Sequence, residues 1–255
     1  LNVELENIKK NIADINVQML ENISTEYENK IGLITNLNDR IQNQIDLQTE
    51  SGERLSENYY TEMVKNAQKA LALQKEQRKE MLAQLNSSVA SGQIEKYSEE
   101  WFDMVNAIND VDDAIVQCQI DIENFQNSIN DLHWENFERL VKAIENVSDE
   151  AEHLRNLIKD EDLVDDAGNW SADGITALGL AAQEMENAKY RAEMYGKEIQ
   201  QLKKDYKAGR YSQDEYNEKL QELKSSQWDC IEAYESAQDA IIDLNEVRID
   251  AVKDG

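Results

Sequence analysis

Apolar side chains recur along the chain with the alternating three- and four-residue spacing that places them on one side of an α-helix. The first of them fall at Leu1, Leu5, Ile8, Ile12 and Ile15, the spacing of the a and d positions of a heptad repeat. The spacing shifts by about one residue and then continues through Leu20, Ile23, Tyr27, Ile34, Leu37 and Ile41. Such a shift changes the local supercoil without ending the helix, so one helix is predicted to about Leu47.

Four further long helices are predicted from the same pattern. They span about 55–89, 98–158 and 175–206, and the last follows Ser212. The third is expected to kink or to be capped again near Ser148, because a Ser-Asp-Glu run favours a helix start.

The connections between these helices carry turn and capping residues. Gly92 and Gly209 suit the left-handed conformation that follows a helix end. Ser98 precedes Glu99 and Glu100 as an N-cap followed by acids, which complement the helix dipole. Ser212 and Glu215 have the spacing of a capping box. A helix, a short turn and a second helix with matching apolar positions predict an antiparallel hairpin.

Not one proline occurs in 255 residues, although average usage would place about 13. Because proline breaks helix interiors, we predict an elongated all-α fold whose long amphipathic helices form antiparallel coiled-coil hairpins. The expected segments are an N-terminal heptad helix (1–52), a first hairpin with a long second helix (53–160), an acidic loop (161–174) and a second hairpin (175–255).

The charge balance excludes several classes of partner. Lys and Arg total 26 against 53 Asp and Glu, a net charge of -27, which repels nucleic-acid phosphates and anionic lipid surfaces. No apolar run approaches the roughly 20 residues that a membrane span needs. The chain starts at Leu1 without a methionine, so we expect a segment of a longer polypeptide. Cys118 and Cys230 are expected to be free, part-buried thiols.

Residues with catalytic or metal-binding chemistry are few. His133 and His153 lie 20 residues apart without the spacing of a metal motif, and no nucleotide-binding or nucleophile motif occurs, so neither an enzyme nor a cofactor is predicted. The acidic loop offers a weak calcium candidate through Asp160, Asp162, Asp165 and Asp166. Its register lacks the glycine and the terminal glutamate of an EF-hand loop, so a simple turn is the alternative.

The four tryptophans fall on different kinds of segment. Trp101, Trp134 and Trp228 occupy helical apolar positions and are expected to pack in a core. Trp170 lies in the acidic loop and is expected to fold over a helix end.

Residues 91–137 resemble a segment of tail tape measure proteins from long-tailed phages and prophages of Gram-positive bacteria. The shared pattern is a glycine turn, a Ser-Glu-Glu-Trp run, Ile-x-Asp-Val and a downstream Ile-x-x-x-x-Trp-x-x-Phe. Its residues here are Gly92, Ser98, Glu99, Glu100, Trp101, Ile108, Asp110, Val111, Ile129, Trp134 and Phe137. The loop at 163–179 and Tyr59-Tyr60 also resemble the family, so the likeness covers about 59–179.

The resemblance implies a structural role in a virion. Tape measure proteins lie extended in the tail tube, set its length, bind tail tube subunits and assembly chaperones, and leave ahead of the DNA. It therefore implies a ruler segment in the tail lumen, assembled in the host cytoplasm, which self-associates through its helical apolar sides and contacts neither nucleic acid nor membrane directly. The family's cell-wall hydrolase and membrane-active segments have no counterpart here.

Two other classes of protein are also built from long helices. A coiled-coil scaffolding or adaptor protein unrelated to phages, without catalytic activity, would show the same long helices. An α-helical toxin or translocation domain would need an apolar hairpin, which this sequence lacks.

Overall fold

The structure is a computed structural model that describes residues 2–165 and 167–254. They form α1 (Asn2–Ser51), α2 (Glu57–Ala90), α3 (Glu99–Asn156), α4 (Ala172–Lys207) and α5 (Gln213–Asp254), with a short 3-10 turn at Asp160–Asp162. Helix accounts for 88% of the structure, and within the described ranges the only β-type pairing is an isolated bridge between Val164 and Trp170. The all-α prediction is confirmed. Leu1 of the predicted heptad and Asp166 of the candidate calcium loop lie outside the described residues.

Serine side chains cap the starts of four helices. The hydroxyl of Ser56 accepts from the amide of Asn58, and that of Ser98 from Trp101 at 3.3 Å. Ser171 accepts from the amide of Gly174 at 2.9 Å, and Ser212 begins α5 in the same way. Each satisfies an amide that the first helical turn leaves without an intrahelical acceptor. The new cap expected near Ser148 was wrong, because α3 continues through this residue and its side chain is buried.

Packing divides the chain into two compact units, Leu1–Glu135 and Asn136–Gly255. The division falls inside α3, whereas the predicted segments changed at loops. An unbroken helix carries no sequence signal where its packing partners change, because its backbone hydrogen bonds continue on both sides.

In unit 1, α1 and α2 pack in antiparallel directions. Hydrogen bonds join Asn16 to Ser88 at one end, Ser24 to Gln77 in the middle, and Asn38 to Asn66 further along. The hydrophobic core of this unit also includes the start of α3. Its buried residues are Ala13, Leu20, Met81, Leu85, Ile94, Met104, Ile108 and Val111. Leu82 of α2 and Trp101 of α3 pack against this core, so the turn after Gly92 brings α3 back onto α2.

In unit 2, α4 and α5 run antiparallel. The rings of Tyr206 and Tyr216 stack beside the turn, with centroids 4.3 Å apart. Further along, Gln227 donates to the carbonyl of Ala192 at 3.1 Å. The buried apolar residues of the two helices are mostly small or aliphatic, and include Ala177, Ala181, Ala188, Ile199, Leu202, Leu223 and Ala237. Cys230 is buried here and Cys118 is half-buried in unit 1, and both are free thiols as predicted.

The first part of α1 differs from the sequence-based expectation. Ala13, Asn16 and Leu20 are buried, whereas the predicted heptad positions Leu5 and Ile15 are each 55% exposed. The two sets lie about 100° apart around the helix, given 3.6 residues per turn. The heptad side of α1 therefore does not form the core of unit 1 and faces solvent. Beyond Leu20 the predicted positions are buried or half-buried, except Leu37, which is exposed.

Candidate interaction surfaces

The motif that begins α3 forms a compact turn. Gly92 has φ +68, and Ile94 behind it is buried in the core of unit 1. Tyr97 has φ +71 and lies against Trp101, with ring centroids 5.2 Å apart. The backbone amide of Glu100 itself, followed by the hydroxyl of Ser98, lowers the pKa of the Glu100 carboxyl. These residues stabilise the reversal between α2 and α3.

The other residues of the motif are spread along α3 and form no common site. Glu99 and Asp110 are exposed. Trp134 is half-buried in unit 1, beside His133. Phe137 belongs to unit 2, where its ring meets that of Tyr195 edge-on at 5.2 Å. The motif therefore describes the packing of one long helix.

The turn between α4 and α5 is held by a larger set of contacts. Gly209 has φ +77. The amide of Ser212 donates to the Glu215 carboxylate at 2.8 Å, and the amide of Glu215 donates to the Ser212 hydroxyl at 3.3 Å. This is the predicted capping box, and the two contacts with Ser212 lower the pKa of Glu215. Arg210 pairs with Asp205 at 2.8 Å.

In the acidic loop, the carboxylate of Asp165 is bound by backbone amides of the loop itself. Asp165 accepts from the amides of Asn169 at 2.8 Å and Ala167 at 2.9 Å. The Asn169 amide and side chain, followed by the Ala167 amide, lower the pKa of Asp165. Asp160 and Asp162 lie in the 3-10 turn and are exposed. Within the described residues, no group of three His, Cys, Asp or Glu side chains is arranged to hold a metal ion.

The loop closes over the ends of two helices. Trp170 lies over the first turn of α4, close enough that a Cβ on Gly174 would be 2.7 Å from its ring. The guanidinium of Arg248 stacks on the Trp170 ring at 5.6 Å, and its Nε donates to the carbonyl of Gly168 at 3.3 Å. The expectation that Trp170 folds over a helix end is confirmed.

Two exposed apolar regions were not assigned from the sequence. The heptad side of α1 presents Leu5, Ile8, Ile12, Ile15 and Met19 to solvent within unit 1. In unit 2, Trp228 is 63% exposed, so its predicted core position was wrong. It follows Gln227, which lines a shallow groove with Ile231 and Tyr234. The spacing of apolar residues alone does not show whether a side of a helix faces the core or the solvent.

The sequence did not predict the buried and partly buried polar contacts between helices. In unit 1, the side chain of Asn16 accepts from Ser88 at 2.8 Å and from Gln84 at 3.0 Å. In unit 2, Arg155 makes two contacts with Glu184, at 2.9 and 3.3 Å, and Arg191 pairs with Glu145 at 3.2 Å. The sequence signal for such contacts is a polar side chain at a helix position where the spacing predicts an apolar one. Such pairs favour one helix register, because a shift would leave buried polar groups without partners.

Tyr27 provides a spectroscopic test of the α1–α2 packing. Its hydroxyl donates to Glu80 at 2.8 Å. This hydrogen bond, burial and the neighbouring glutamates raise the pKa of Tyr27 to about 12. Protonated Tyr27 contributes to the free energy of unfolding. This contribution is fully present below about pH 10, the usual pKa of an unfolded tyrosine, and is lost as the pH rises toward 12. An absorbance titration should therefore show one tyrosine that ionises near pH 12.

The matched variant for this test is Tyr27→Phe. It should remove the late-titrating group and lower the free energy of unfolding by about 1 kcal/mol, the usual worth of such a hydrogen bond. Tyr190→Phe, at a half-exposed position of α4, should leave the late step in place. Burial raises the pKa of Tyr195 as well, so the assignment is contradicted only if Tyr27→Phe leaves the titration near pH 12 unchanged.

No family model, curated protein or solved structure matches this chain. In the described part of the chain, no helix is long and apolar enough to cross a membrane.

Proposed function

We propose that this chain is a helical ruler segment of a phage tail, which sets tail length during assembly and leaves before DNA ejection. The observation that carries the proposal is helix length. α1 continues for 50 residues without interruption, and at 1.5 Å per residue it is about 75 Å long. A ruler needs a fixed length per residue and no catalytic group. The resemblance of residues 91–137 to tape measure proteins adds the phage context.

The proposed location is the tail lumen, and the proposed partners are tail tube subunits and assembly chaperones. Copies of the chain would associate through the exposed heptad side of α1. Leu5, Ile8 and Ile15 are each more than half exposed there, and their spacing is the one that packs one helix against another. The strongly acidic surface would also repel incoming DNA, which favours departure ahead of it.

The ruler role requires a change of form. Antiparallel helices joined at Gly92 and Gly209 shorten a chain, whereas a ruler must be extended. We propose that the helices form elongated coiled-coil hairpins in the isolated chain, and that the hairpins open in the tail, where other copies and tube subunits replace the contacts between helices.

Detection in purified virions tests this proposal. In the phage or prophage that encodes the chain, the gene should lie between a tail tube gene and a gene for the distal tail. Mass spectrometry of purified tails should find peptides of this chain in intact tails and lose them after DNA ejection. A chain that remains in the cell lysate and is absent from tails would contradict the proposal.

A non-phage scaffolding or adaptor protein is the second candidate. It is favoured by the two glycine turns, since hairpins present helix faces to partners without any need to open. A neighbourhood without tail genes, together with a cellular location, would support this candidate over the ruler.

A further inference from the structure

Charge is distributed unevenly along this acidic chain. Residues 203–212 contain Lys203, Lys204, Lys207 and Arg210 but a single acid, Asp205. Residues 97–138 contain eleven Asp and Glu and no Lys or Arg. The first segment is the turn between α4 and α5, called the basic tip below. The second consists of Tyr97, Ser98 and about the first two thirds of α3.

The basic tip presents its cations on a fixed backbone. Lys204, Lys207 and Arg210 are exposed. The single acid, Asp205, is 15% exposed and already occupied by Arg210 and Gln201. The amide of Arg210 donates to the carbonyl of Asp205 at 3.0 Å, which closes the helix end. Positive charge therefore dominates the α4 side of the tip, whereas the exposed Asp214 and Glu215 lie at the start of α5.

Two aromatic side chains lie beside the turn that carries the cations. Tyr206 and Tyr216 stack beside the turn with their planes 19° apart, and the Tyr206 hydroxyl donates to Gln213. Both rings are half-buried. The tip thus combines exposed cations with a rigid apolar base.

One side of α3 in unit 1 has the complementary character. Asp113, Val116, Ile120, Glu123 and Asp131 follow a spacing of three, four, three and eight residues, which places them on one side of a helix with 3.6 residues per turn. Val116 is 53% exposed and Ile120 is 44% exposed, and the acids Asp113, Glu123 and Asp131 are exposed on either side of them. We call this the acidic face of α3.

We propose that the basic tip of one copy docks on the acidic face of α3 in a second copy. Opposite charges attract across the contact, while Val116 and Ile120 lie where the aromatic base of the tip can cover them. Exposed ion pairs are individually weak, but several acting together can select the partner and its orientation. A nucleic acid is the less favoured partner, because it would leave the exposed Val116 and Ile120 uncovered.

Sedimentation velocity over a range of protein concentrations tests the contact. Association should depend on concentration at about 0.01 M salt, where charges act over about 30 Å, and its charge-dependent part should vanish at about 1 M salt, where they act over about 3 Å. Association through the apolar side of α1 would instead persist at high salt, so the two contacts are separable.

Charge reversal identifies the two surfaces. The tip variant Lys204→Glu/Lys207→Glu and the face variant Asp113→Lys/Glu123→Lys should each weaken the low-salt association at least about tenfold. A mixture of the two variants should associate again, since each then meets a surface of opposite charge. Lys75→Glu/Lys79→Glu is the matched control, because it makes the same charge change at exposed positions of α2. Circular dichroism verifies that each variant keeps its helix content.

Several outcomes would overturn the proposal. The wild-type chain could remain monomeric at low salt, the control could lose as much affinity as the tip variant, or the mixture could fail to associate. A labelled DNA duplex that binds the wild-type chain but not the tip variant would also overturn it, because the tip would then belong to a phosphate backbone.

Discussion

Removal of residues 105–140 from the intact gene should shorten the phage tail by roughly 54 Å while particles still assemble. The deletion takes out 36 residues, and an α-helix rises about 1.5 Å per residue. Thirty-six residues are also ten full turns, so the helix sides on either side of the junction stay in phase. The measurement is tail length by negative-stain electron microscopy.

Proportionality separates a ruler from a part that merely supports assembly. An 18-residue deletion from the same helix removes five turns and should shorten the tail by roughly 27 Å. Ser98→Ala is the matched point variant. It removes the cap of α3, which costs about 1 kcal/mol of local stability, and should leave tail length unchanged. Tails of unaltered length after both deletions would exclude the ruler role for this region and favour the scaffolding candidate.

Helix ends were predictable because their signals are local. Ser212 and Glu215 satisfy each other's backbone amides within four residues of sequence, and no distant contact is needed to place them. Gly92 and Gly209 likewise adopt the positive φ that the backbone requires after a helix. These turns follow from properties that each residue has in any fold.

The sides that pack were less predictable because two apolar sides compete on α1. Leu5, Ile8 and Ile15 repeat more regularly than Ala13 and Leu20, yet the second set is buried. Asn16 helps to explain the outcome, since its contacts with Ser88 and Gln84 exist only when this side faces α2. A pairing between residues 72 positions apart leaves no trace in a local period. The exposure of Trp228 was missed for the same reason.

One part of the candidate surfaces could be predicted from the sequence, and another part could not. Both charge segments could be identified from the sequence alone, since no Lys or Arg occurs in residues 97–138. Whether these charged side chains can contact a partner depends on their exposure to solvent, which only the structure shows. In the structure Arg210 pairs with Asp205, the single acid of the basic tip, whereas the sequence shows only that the two residues are near each other.

Substitution of Gly174 by alanine should lower the free energy of unfolding of unit 2 by about 3 kcal/mol. Gly174 lies in the first turn of α4, where an added Cβ would be 2.1 Å from the carbonyl oxygen of Leu163 and 2.7 Å from the Trp170 ring. The carbonyl cannot simply move away, because it accepts from the amide of Ser171 at 3.0 Å. Overpacking of this kind costs 1 to 3 kcal/mol or more. Urea unfolding followed by Trp fluorescence and by circular dichroism measures the change.

Gly179→Ala is the matched control, since it adds the same methyl group five residues further along the same helix. A Cβ there would meet nothing within 4 Å, so the substitution should raise stability by about 0.5–1 kcal/mol through the better helix propensity of alanine. The two variants should therefore move the unfolding midpoint in opposite directions. If Gly174→Ala were as stable as the wild-type chain, the close approach of the acidic loop to the start of α4 would be wrong. The position of Trp170 over that helix end would then be wrong with it.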